Sequence, residues 1–146
     1  MGVGTLEVVL VNARGLATND FFGMFTSCCG LMEKFRPYIL IQYQTQEQKS
    51  SVAGGSNPLW NEKFTFVVDN PGGGDGHRKL SLKVMDAGMI SSDEFVGQSS
   101  IFVEDLITLG VENGAAELHP TKYRVVQMDE SYRGEIQVGI KFTLTV

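Results

Sequence analysis

The sequence predicts an all-β protein, an antiparallel sandwich. Three observations predict it: period-two alternation in several short segments, turn clusters between them, and almost no helical periodicity. The C-terminal segment Glu135–Val146 shows the alternation best. Ile136, Val138, Ile140, Phe142 and Leu144 point one way, while Gln137, Gly139, Lys141, Thr143 and Thr145 point the other. That is a strand with one buried face.

The remaining elements follow in order. Leu6, Val8 and Leu10 open the chain with the same pattern, and Ile39, Ile41 and Tyr43 repeat it. Phe64, Phe66 and Val68 form another set, as do Leu80, Leu82 and Val84. Weaker strands fit at Lys49–Val52 and near Tyr123–Val126. Turn formers separate them at Asn12–Gly15, at Gly54-Gly55-Ser56-Asn57-Pro58 and at Asn70-Pro71-Gly72-Gly73-Gly74. One short helix is expected near 103–110, with Glu104 and Asp105 early and Gly110 at its end.

A chain of 146 residues fits one domain, 1–146, able to bury roughly two-thirds of its unfolded surface without disulfides or metal. Seventeen acidic residues against 12 basic ones leave a net charge of −5, which argues against nucleic acid as a partner. A local patch or a bound cation can still attract an anionic membrane. No stretch has the length of a signal peptide's apolar core or of a transmembrane helix, and Leu6 stands where N-myristoylation wants Ser or Thr. Cys28 and Cys29 are adjacent and poorly placed to bridge each other. The expectation is a reduced, cytoplasmic protein.

Catalytic chemistry is not expected. His77 sits beside the Gly-rich turn and His119 before Pro120, and neither accompanies a nucleophile pattern. The Gly72–Gly76 stretch lacks the Lys-Ser/Thr ending of a phosphate-binding loop. Two adjacent cysteines without spaced partners do not make a zinc site.

The stretch Asn57-Pro58-Leu59-Trp60-Asn61-Glu62, followed by Phe64–Val68, resembles the signature of C2 domains. Pro37-Tyr38-Ile39 resembles the start of that family's second strand. Asp86, with Asp93-Glu94-Phe95-Val96-Gly97 after it, resembles its third calcium loop and the strand beyond. With Gly15-Leu16 and Gly134-Glu135-Ile136 these motifs cover essentially the whole chain in the family's order. Gln48–Ala53 and Lys122-Tyr123 look like the small single-domain plant C2 proteins, a group with elicitor-responsive and phloem-mobile members. The resemblance implies an eight-stranded antiparallel C2 sandwich, type II in strand order, with calcium-holding loops at one end. It also implies a peripheral phospholipid-binding role.

Calcium takes about six to eight oxygen ligands at ~2.4 Å, and loop carboxylates supply both ligands and charge compensation. Carried over residue by residue, the resemblance assigns Asp20, Asp86, Asp93 and Glu94 to a weak or lost calcium site. Arg36 occupies a position where the family has a carboxylate, and a guanidinium has no acceptor. Gly88 replaces another aspartate, and Glu94 lengthens a third. Arg36 is therefore expected to pair with Asp20 or Asp86 in place of calcium.

Asp20 and Arg36 stand 16 positions apart, so the first loop is longer than in the resembling proteins. It is strongly apolar, running Phe21-Phe22-Gly23-Met24-Phe25-Thr26-Ser27-Cys28-Cys29-Gly30-Leu31-Met32-Glu33-Lys34-Phe35. Three readings stay open. Phe22, Met24, Phe25, Leu31, Met32 and Phe35 dip into a membrane, with Lys34 and Arg36 meeting phosphates and Cys28 and Cys29 available for S-acylation. Alternatively the loop binds a protein partner without calcium. Third, it packs over the sandwich end as extra core.

Overall fold

The computed structural model describes residues 3–16, 35–55, 57–73, 78–87 and 93–145. The alternation near the C-terminus becomes one wall of the core. In the last strand, β8 (Tyr132–Leu144), Ile136, Val138, Ile140 and Phe142 are buried. Their neighbours in β1 (Val3–Arg14) pair in register: Leu6 with Phe142, Val8 with Ile140, Leu10 with Val138. Opposite faces of both strands carry polar residues, so a one-residue slip would expose the whole set.

Between them run β2 (Pro37–Tyr43), β3 (Gln46–Lys49), β4 (Leu59–Asp69), β5 (Lys79–Asp86), β6 (Glu94–Phe102) and β7 (Ala115–Val126). Among the described residues these eight strands pair antiparallel in the order β3-β2-β5-β6-β7-β8-β1-β4. β6 and β7 share only the pair Gln98–Val126, so the sheet folds there into two four-stranded layers. Tyr43, Phe66, Leu80, Leu82 and Ile39 fill the space between them with the β1 and β8 side chains.

On the other side, glutamines nearly close the sandwich. Gln46 of β3 donates from Nε2 to Val67 O (2.6 Å) and accepts from Val67 N–H (2.8 Å). Gln48 Nε2 donates to Thr65 O (2.7 Å). Side-chain amides thus occupy backbone groups that edge strand β4 would otherwise present to another chain.

Three elements differ from the sequence reading. β3 covers 46–49 rather than 49–52, because Ser50 keeps only half of the next ladder pair: its N–H donates to Ile39 O (2.9 Å), but its side-chain Oγ rather than its carbonyl accepts Ile39 N–H (2.9 Å). β7 is 12 residues long rather than a short segment near 123–126. Its register shifts between Leu118 and Thr121, where Pro120 packs on Gly139, and this bulge breaks the alternation.

The helix, α1 (Glu104–Asn113), runs three residues past Gly110 and ends on Gly114, whose φ of 89° is the left-handed cap glycine favours. Gly110 lies inside it because a Cβ there would overlap the Phe142 ring. Arg78, buried, anchors the helix start. Its Nη2 donates to Asn70 O (2.8 Å) and its Nε stands 3.9 Å from Glu104. No described helix is long and apolar enough to cross a membrane.

Candidate functional site

Strand direction brings four connections to one end of the sandwich: 15–36, 50–58, 87–93 and 127–131. Pairing Pro37 with Asp86, Asp86 with Glu94, Arg14 with Glu135, and Val126 with Tyr132 fixes this rim. Backbone fit is tight: Gly134 has φ 77°, and a Cβ there would overlap Arg14 O and the Gly15 backbone.

The third-loop carboxylates already have protein partners. Asp86 Oδ1 accepts the backbone N–H of Arg36 (3.0 Å), and Ala87 N–H donates to Arg36 O (2.9 Å). Tyr38, buried, donates its hydroxyl to Asp93 Oδ2 (2.5 Å). That bond, with burial and the Asp93 charge adding, pushes the Tyr38 phenol up to about 12, so it is a proton donor at neutral pH. Glu94 is exposed at the start of β6.

The expected Arg36–Asp86 ion pair is not formed; among the described residues the Arg36 guanidinium makes none. The reason is local. Antiparallel pairing of Pro37 with Asp86 sets the carboxylate against the main-chain N–H of Arg36. Among the described residues, no three of His, Cys, Asp and Glu gather as a metal-holding group. Asp20 and Gly88 lie outside the described residues.

The Asn57–Glu62 motif proves to be a brace. Asn57 Oδ1 accepts Gly15 N–H (2.9 Å), and Pro58 O accepts Ala13 N–H (3.0 Å). Trp60 Nε1 donates to Ser51 O (2.9 Å), while Glu62 accepts from both Ser51 N–H and Ser51 Oγ. Connection 50–58 is thereby held against the end of β1.

Of the apolar first-loop set, Phe35 and Arg36 are described. Phe35 is half-buried against the core, with the Arg133 guanidinium 5.9 Å from its ring centroid. Arg133 Nε also donates to Leu16 O, so one side chain ties both ends of the first loop to β8. Phe22, Met24, Phe25, Cys28, Cys29, Leu31, Met32 and Lys34 lie outside the described residues.

Sequence reading singled out nothing in connection 127–131. There Met128 is 85% exposed, and nearby Tyr132 is 63% exposed beneath the Arg124 guanidinium, 4.9 Å from its ring centroid. A single Met in a turn carries no periodicity, so only the folded arrangement reveals the cluster. A groove of about 510 Å³ on the outer face of β2, β5 and β6, rimmed by Lys79 and Lys83, was equally invisible.

Comparison with known proteins agrees with this geometry. A family model for the C2 domain matches residues 4–118. Elicitor-responsive protein 1 of Oryza sativa subsp. japonica is 46% identical over 144 residues, covering 97% of this chain and 86% of the relative. The 16 kDa phloem protein 1 of Arabidopsis thaliana is 44% identical over 147 residues, covering 99% and 87%. Among solved structures, a C2 domain-containing protein from an elicitor-responsive gene superposes with a TM-score of 0.69 at 34% identity, covering 99% of this chain and 92% of the other. With its strand register, its braced loop end and these relatives taken together, the chain belongs to the C2 domain family.

Proposed function

We propose that this domain is a peripheral, non-catalytic phospholipid-binding module whose attachment depends little on calcium. The observation that carries the reading is the occupation of Asp86 and Asp93 by protein donors, Arg36 N–H and Tyr38 O–H. A loop end held together by hydrogen bonds has less need of a cation as its staple. Calcium in such a site would coordinate Asp20, Asp86, Asp93 and Glu94 and would supply charge for bridging to lipid phosphate.

The apolar first loop supplies the contact in this reading. Phe25, Leu31 and Met32 gain by leaving water at the headgroup–acyl boundary, while Lys34 and Arg36 meet phosphate; Phe35, packed against the core, anchors the loop's end instead. The names of the relatives carry over as a role in plant defence or phloem signalling, exerted in the cytoplasm at membrane surfaces.

Vesicle co-sedimentation tests the proposal. Wild-type protein is expected to pellet with phosphatidylcholine–phosphatidylserine vesicles, and serine at 25, 31 and 32 is expected to abolish this. Absence of pelleting on every vesicle composition sinks the membrane reading in favour of a calcium-independent protein contact through the same loop.

A further inference from the structure

We propose that the β7–β8 hairpin is a second membrane prong, separate from the first loop, that enters a phospholipid surface with Met128 leading. The inference rests on the membrane reading above but concerns residues 124–135 and not the loop that reading uses. It stands on four observations.

The hairpin tip lies at the loop end, because Val126 pairs with Tyr132 and Arg14 with Glu135 on the rim shared by the first and third loops. The tip thus shares its end of the sandwich with the strand ends that carry those loops.

Its chemistry is layered as a bilayer is. At the tip, Met128 is 85% exposed, the most exposed large apolar residue among those described. One rung back stand Tyr132, 63% exposed, and Phe95, 39% exposed, which shares a hollow with Val126 and Met128. One step further along the ladder, Arg124 and Arg14 flank Glu135 from the two neighbouring strands. Met128 leads, with aromatic side chains and then a cationic base behind it, in the order of acyl boundary, interface and phosphate.

The charge fits phosphate. Glu135 is engaged by Lys122 at 3.8 Å, so the row Arg14, Arg124 and Lys122 keeps an excess of positive charge on a chain whose net charge is −5. At the turn itself Asp129 and Glu130 are both exposed, Asp129 Oδ1 accepting Ser131 N–H (3.0 Å) and Ser131 Oγ–H (2.5 Å), so the phosphate contact falls to the basic row behind the turn.

The tip is also built in advance. Gln127 N–H donates to Ser131 O (2.8 Å), Glu130 N–H to Gln127 O (2.9 Å), and Gln127 Nε2 to Ser131 Oγ (2.8 Å). A turn already fixed loses little freedom when it docks.

The test is vesicle binding by the whole chain, titrated with phosphatidylcholine–phosphatidylserine vesicles. Met128→Asp is expected to weaken binding about tenfold, since it removes one buried apolar side chain from the interface. Arg124→Gln weakens it about fivefold, and Met128→Leu recovers most of what Met128→Asp loses. Phe102→Asp is the control: Phe102 is 72% exposed at the opposite end of β6 and should have no effect. Thermal melts confirm that all variants fold. Wild-type affinity in Met128→Asp, with binding still lost in the first-loop serine variant, overturns the prong and leaves the first-loop reading standing. Equal losses in Met128→Asp and Phe102→Asp overturn it too. Failure of the wild type to bind overturns both.

Discussion

Tyr38 at the head of β2 and Asp93 just before β6, 55 positions apart, share a 2.5 Å hydrogen bond from phenol to carboxylate. Beside it, the Arg36 N–H holds Asp86. Both acids belong to the weak or lost calcium site proposed above, and both help to pin the ends of the third loop to the second strand.

Removing that phenol has two consequences. Tyr38→Phe leaves Asp93 without its donor and is expected to cost about 1–3 kcal/mol at neutral pH by chemical denaturation. The pH profile changes as well. An unfolded tyrosine titrates near 10, whereas folded Tyr38 holds its proton to about 12. Its contribution is therefore full below pH 10 and is lost as pH rises from 10 to 12, where only the unfolded state releases the proton. Tyr38→Phe should flatten this alkaline loss without removing it, because burial also raises the Tyr43 phenol.

Gln46→Ala removes both amide bonds to Val67. At roughly 0.5–1.5 kcal/mol per bond, a loss of about 1–3 kcal/mol is expected. Faster amide exchange at Val67 should accompany it, since that N–H loses its acceptor.

Gly110→Ala reverses the usual rule. In an open helix the change gains roughly 0.5–1 kcal/mol. Here the new Cβ overlaps the Phe142 ring, so destabilisation of about 1–3 kcal/mol is expected instead. Phe142→Leu in the Gly110→Ala background should recover part of that loss in the same thermal melt, because the two sites share one volume.

Much of this was legible in the sequence. Alternation in 136–144, 6–10 and 80–84 named the core faces directly, since each strand buries one side. The Asn57–Glu62 motif located the loop end, although its work as a brace depends on Gly15 and Ser51, which only folding brings near. What escaped was long-range or aperiodic. Leu118–Thr121 hides a bulge that needs Gly139 opposite to be understood. Gly110 signals a helix end equally well as a close contact. Arg36 reads as a charge looking for a carboxylate, whereas the register hands that carboxylate to its backbone. Met128 carries no pattern at all.

The most direct measurement is the fraction of protein bound to phosphatidylcholine–phosphatidylserine vesicles in excess calcium and in chelator. With Asp86 and Asp93 held by Arg36 N–H and Tyr38 O–H, binding is expected to change less than about twofold between the two conditions. Binding that appears only with calcium, and vanishes in Asp86→Asn, would contradict the account.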